Sequence, residues 1–124
     1  MRKSAGEADN GAPGQMADFF YSPEARGDLL AIWEYIAQDD LDAADRVEQE
    51  IGQAVQLLAE NPNLGHVRRD LTSKPVRFWP IYSYLIIYDP ATRPLEVVRI
   101  LSGYRDIATL LKRRTGKGRA RLDR

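Results

Sequence analysis

Apolar residues recur along the first half of the chain at helical spacing. Ala25, Leu29, Ile32, Trp33 and Ile36 fall at i, i+4, i+7, i+8 and i+11, on one face of a helix. Ser22-Pro23-Glu24 supplies the start. Ser22 is a good N-cap, Pro23 suits the first helical position, and Glu24 meets the positive end of the dipole. Gln38-Asp39-Asp40 ends this helix. A second stripe, Ala44, Val47, Ile51, Ala54, Val55 and Leu58, predicts a helix that begins near Asp40 or Asp42. Asn61-Pro62-Asn63-Leu64-Gly65 stops it. Gly52 inside it costs about 1 kcal/mol relative to alanine, and close contact between helices is the expected reason for it. Two such helices on a short connection form an αα-hairpin with one apolar side.

Beyond Gly65 the pattern changes to short apolar runs that supply a sheet to cover that side. Residues 76–81 (VRFWPI), 84–88 (YLIIY) and 95–101 (LEVVRIL) read as strands, and 18–21 (DFFY) as a short strand ahead of the first helix. Pro80 has no N–H for a ladder and limits its strand. Glu96 and Arg99 are the polar interruptions of the last strand. Residues 89–94 (DPATRP) form a turn on Pro and Asp grounds. No Asn-Gly or Asp-Gly pair joins the first two of these three strands, so Ile81-Tyr82-Ser83 must turn the chain. Ser102-Gly103 breaks the last strand. A short helix is expected over 104–114, with Ile107, Leu110 and Leu111 on its apolar face. The expected fold class is α+β.

The chain's 124 residues allow one domain. Residues 1–15 carry Gly, Pro, Ser and charge with almost nothing to bury, and read as a disordered leader. Met16 directly after them is a candidate natural start. The domain is expected over 16–112, and 113–124 as a flexible basic tail.

Eighteen bases balance eighteen acids, but not evenly along the chain. Residues 24–60 hold ten acids and two bases, whereas 61–124 hold five acids and fourteen bases. Such halves suggest two surfaces with different partners. There is no cysteine, which excludes disulfides, thiolate metal sites and a cysteine nucleophile. With a single histidine, chemistry needing two imidazoles is excluded as well. No P-loop and no paired His spacing occurs, so neither a cofactor nor a metal site is expected. Apolar runs fall far short of the roughly 18 residues of a membrane helix, and no secretory segment is legible. A cytoplasmic location is the expectation. His66 reads first as a surface-loop histidine, and Asp39, Asp40 and Asp42 as helix caps.

The remaining candidates are arginines and tyrosines of the basic half: Arg68, Arg69, Arg77, Tyr84, Tyr88, Arg99, Tyr104 and Arg105. Arginine presents a planar fork suited to carboxylates and phosphates. Interleaved aromatics fit either a nucleic-acid surface or a protein-binding rim. Pairing of these arginines with acids inside the fold, as of Arg99 with a helix carboxylate, is the competing reading.

FFYSPEARGDLLAIWEYIA, then LLAENPNLG, then VRFWPIYSYLIIYD, then EVVRILSGYRDIATLL stand in an order that resembles the RelE/ParE superfamily of type II toxin–antitoxin toxins, over roughly residues 18–112. The ParE branch is the nearer match. The resemblance implies an N-terminal strand, an αα-hairpin packed on a small antiparallel sheet, and a short C-terminal helix. It implies a cognate antitoxin that wraps the toxin, and, for the ParE branch, growth inhibition through DNA gyrase. The RelE branch implies ribosome-dependent cleavage of messenger RNA by converging basic side chains and a C-terminal tyrosine. Arg105 matches one such arginine. Against that branch, Tyr84 stands where the ribonuclease carries an arginine in the central strand. Leu110 and Leu111 stand near the expected tyrosine, and the lysine-rich loop keeps only Lys74 beside Arg68, Arg69 and Arg77. These departures favour a non-enzymatic inhibitor; a ribonuclease and a non-toxic binding module are the alternatives. The tail could add weak nucleic-acid contact.

Overall fold

Ser22 opens the first helix as its position demands. Its hydroxyl accepts from the Ala25 N–H at 3.0 Å and donates to the Val98 carbonyl at 2.8 Å, in a fully enclosed site. Pro23 takes the first helical position, and α1 runs over Pro23–Ala37. Asp40 caps α2 (Leu41–Glu60) by accepting from the Ala43 N–H. Between the two expected starts for this helix, Asp40 is therefore the one used. Ala25 and Ile32 of α1 and Ala44, Ile51, Val55 and Leu58 of α2 are buried. Trp33 instead lies at the seam, where its indole N–H donates to Asp45 at 2.9 Å and ties the helices together.

The computed structural model describes residues 18–103 and 106–111. The expected leader 1–15, the expected tail 113–124, Tyr104 and Arg105 lie outside the described residues. Four strands are present: β1 (Phe19–Tyr21), β2 (Arg77–Ile81), β3 (Tyr84–Asp89) and β4 (Leu95–Ser102). They lie side by side in the order β1-β4-β3-β2. The pairs β2–β3 and β3–β4 are antiparallel, as the resemblance implies, while β1 joins β4 in parallel. The sheet is therefore mixed, because the whole helical hairpin acts as part of a crossover between β1 and β4. A short helix at 107–111 follows, capped by Asp106, which accepts from the Thr109 N–H and hydroxyl.

The sheet is apolar on both faces. Ile86 and Tyr88 of β3 and Leu95, Val97 and Ile100 of β4 meet the helical hairpin. Phe78, Ile87, Val98 and Leu101 meet Val76, Ile107 and Leu111 on the other side. The run LEVVRIL reads as nearly continuous because it is one of the sheet's two inner strands, covered on both faces. The ladder jumps from Ile87↔Arg99 to Tyr88↔Val97, which leaves Val98 as an extra residue on β4.

Strand β1 stops halfway along β4, and α1 takes over that edge. The Ser22 N–H donates to the Val97 carbonyl at 2.9 Å and the Ser22 hydroxyl to that of Val98. The Asp28 carboxylate accepts from the Ile100 N–H at 3.0 Å. Side chains thus satisfy backbone groups that a longer strand would have paired. At the opposite edge Phe78 directs both its backbone groups outward to His66, each at 2.8 Å. Two residues on, Pro80 faces the same way and removes no bond from the β2–β3 ladder.

The expected role of Gly52 is corrected by the structure. A Cβ built there meets nothing within 4 Å, and the same is true of Gly27 in α1. Neither glycine makes room for the other helix. Gly27→Ala and Gly52→Ala should each stabilise the domain by about 0.5–1 kcal/mol. Thermal unfolding of the two variants should show each midpoint raised by roughly 3–6 °C.

Candidate interaction surface

The candidate residues separate into two places. Tyr84 lies in a cleft of about 490 Å³ between α1 and the end of the β2–β3 hairpin, lined also by Asp28, Ile32, Tyr35, Ile100 and Ser102. Tyr82 forms the hairpin tip beside it. Its φ is 56°, at the first position of a two-residue turn where glycine is the usual residue. Its hydroxyl donates to Glu50 of α2, which raises its pKa, and the residue remains 57% exposed. Tyr84 titrates above the ordinary tyrosine range because burial disfavours its anion.

Arg99 lies beside this cleft, paired with Asp28 of its lining. Its Nε and Nη2 donate to the two oxygens of Asp28, both at 2.8 Å, with side chains only 15% and 12% exposed. The hydrogen bonds to Asp28 hold the guanidinium pKa above its usual value. Arg99 is thus engaged inside the fold, as the competing reading of the strand arginines requires.

Arg68, Arg69, Arg77 and Tyr88 converge instead on the loop 61–70. Tyr88 is fully buried and offers no surface to a partner. Its hydroxyl donates to the Pro62 carbonyl at 2.6 Å and accepts from the Gly65 N–H at 2.8 Å, and its pKa is raised chiefly by burial. Arg77 donates to the Gly65 carbonyl at 2.8 Å and reaches that of Asn63 at 3.4 Å. Arg68 makes a bidentate pair with Asp70 at 2.7 and 2.9 Å, which lowers the Asp70 pKa. Both partners are solvated, so this pair adds little to stability. Arg69 is exposed. Of the candidates, Tyr104 and Arg105 lie outside the described residues.

Several surface features carried no sequence signal as candidates. Leu64 and Val67 project from the same loop, 41% and 46% exposed. The His66 ring stacks on Trp79, centroids 6.3 Å apart and nearly parallel. A second, more open groove between β1 and α1 is lined by Phe20, Tyr21, Pro23, Arg26, Gly27 and Leu30. Tyr21 at its end is pushed up to about 12 by burial, with the Glu48 carboxylate adding to the shift. Among the described residues no group of three or more His, Asp or Glu could hold a metal ion, and no helix is long and apolar enough to cross a membrane.

A strand, a helical hairpin and a mixed four-stranded sheet with a closing helix define the α+β fold of a small toxin. The chain belongs to the ParE family: the model described as "ParE toxin of type II toxin-antitoxin system, parDE" matches residues 19–107. Among solved structures, the chain is similar to the "Chromosomal ParDE TA system from P. aeruginosa". That similarity has a TM-score of 0.56 and 21% sequence identity, covering 68% of this chain and 92% of the other. Its weight lies in the fold. No curated protein matches the sequence.

Proposed function

We propose that this ParE-family chain arrests growth by binding DNA gyrase and that a cognate antitoxin holds it inactive. The observation that carries the non-enzymatic reading is the engagement of the strand arginines. Arg99 is paired with Asp28 and Arg77 holds loop carbonyls. Phosphodiester cleavage needs charge stabilisation and proton transfer to converge on one phosphate. The described candidate residues instead divide between a cleft and a loop, with Tyr88 buried between sheet and helices.

Arg77 and Arg99 already bond within the fold, to loop carbonyls and to Asp28, so we place the antitoxin elsewhere. Reversing their charge would place a carboxylate against Asp28 and disrupt the domain before it tested any complex. The groove between β1 and α1 suits an amphipathic antitoxin segment better. Phe20 and Leu30 are exposed apolar walls, and Arg26 has no ion-pair partner among the described residues. An apolar anchor would lie between them with an acid toward Arg26.

The test is induced expression in a host strain, followed by a supercoiling assay with purified gyrase. Arrested growth, intact transcript 5′ ends and lost supercoiling at excess protein are the expected results. Cut transcripts would assign the chain to messenger RNA cleavage, and unimpaired growth would make it a non-toxic binding module.

A further inference from the structure

The loop 61–70 is held more firmly than a connection requires. Two bonds from the Tyr88 hydroxyl, two from Arg77 and two backbone bonds between His66 and Phe78 pin it to the sheet. Gly65 is enclosed so closely that a Cβ there would lie 2.6 Å from the Tyr88 hydroxyl and 3.0 Å from the Phe78 carbonyl. Such a site demands glycine for close approach, not for a left-handed φ.

The same loop turns apolar side chains outward. Leu64 and Val67 are both exposed, three residues apart on a fixed backbone. Scattered exposed aliphatics are ordinary. Two held in one rigid, solvent-facing loop form a preorganised contact, since little further ordering is needed on binding. The charge is lopsided too: residues 61–77 hold four bases and one acid. Asp70 is taken by Arg68, and Arg69 has no ion-pair partner among the described residues.

We propose that the loop 61–70 is the surface with which this toxin engages its target, and that the target presents an acidic protein surface with an apolar socket for Leu64 and Val67. The proposal rests on the toxin reading above and adds the contact through which it acts. Charge complementarity selects an acidic partner. The branched aliphatic ends select a protein over a nucleic acid, because they enter a socket but give bases no plane to stack on.

The test compares the wild-type chain with Leu64→Ser/Val67→Ser and, separately, Arg69→Glu. All three side chains are exposed, so thermal midpoints should match the wild type. Growth arrest on induction should be lost in the double variant and weakened in Arg69→Glu. Half-inhibition of gyrase should need at least about tenfold more protein. Binding of the variants to the antitoxin should be unchanged. Undiminished arrest in both variants would overturn the proposal. So would lost antitoxin binding with arrest retained, which would make the loop the antitoxin's site. Binding of a labelled DNA duplex that depends on Arg68 and Arg69 and falls steeply with salt would also overturn it, in favour of nucleic acid. Failure of the wild-type chain itself to arrest growth would remove the toxin reading, a result separate from arrest that survives the substitutions.

Discussion

Asp28→Ala should lower the stability of the domain by about 3–5 kcal/mol, the usual result of removing one partner from a largely buried ion pair. The carboxylate receives three hydrogen bonds: two from Arg99 and one from the Ile100 N–H. Alanine would leave a guanidinium and a backbone N–H unsatisfied at the place where β4 has no neighbouring strand. Asp28→Asn should cost less, because its amide oxygen still accepts from Ile100 while the charge on Arg99 goes unanswered. A double replacement, Asp28→Leu with Arg99→Met, should recover much of the loss, since the uncompensated charge disappears with its partner. Recovery should stop short of wild type by about 1–3 kcal/mol, because the Ile100 N–H stays unpaired. Urea denaturation of the four proteins gives the ordering directly, with midpoints shifting and slopes unchanged. A loss below about 1 kcal/mol in Asp28→Ala would mean that water reaches the pair and replaces it.

This ion pair also marks where the sequence stops being legible. Pairing of Arg99 with a helix carboxylate was a reading the sequence allowed, but Asp28 lies 71 positions away and nothing local selects it among the helix acids. The helix starts were legible because their causes are local: Ser22 and Asp40 cap from within three residues. The apolar stripes were legible because burial follows a period, and Ile51, Val55 and Leu58 are indeed fully enclosed. The parallel placement of β1 was not, because β1 pairs with a strand more than seventy residues away. Gly52 was misjudged for the same reason. A glycine in a helix has two explanations, close approach or open surface, and only the neighbouring element decides between them. Among the candidate site residues, Tyr88 and Arg69 look alike as members of an arginine- and tyrosine-rich half. Their opposite fates depend on strand register, which places Tyr88 on the helix-covered face beside Val97. The strained tip at Tyr82 carried one usable signal, the absence of a glycine from so short a turn, which leaves Tyr82 to adopt the positive φ.

Gly65→Ala should destabilise the domain by about 3 kcal/mol, through overpacking and through the hydrogen bonds it displaces. The added Cβ would lie 2.6 Å from the Tyr88 hydroxyl, 2.8 Å from its ring and 3.0 Å from the Phe78 carbonyl. None of these can swing away, since the hydroxyl is bonded on both sides and the carbonyl belongs to the sheet. Tyr88→Phe should cost about 1–3 kcal/mol by leaving the Gly65 N–H and the Pro62 carbonyl without their partner. The two changes should not add. With the hydroxyl gone the nearest obstacle to the Cβ goes too, so the double variant should be more stable than the sum predicts. Hydrogen exchange should show faster exchange at Gly65 and His66 in Tyr88→Phe, while amides of Ile51 and Val55 keep their protection. The functional consequence separates contact from preorganisation. Tyr88→Phe alters no exposed atom, so a loop that merely decorates the surface would leave growth arrest intact. A loop that must meet its target already shaped should lose potency in proportion to the loosening at Gly65, at protein levels equal to wild type.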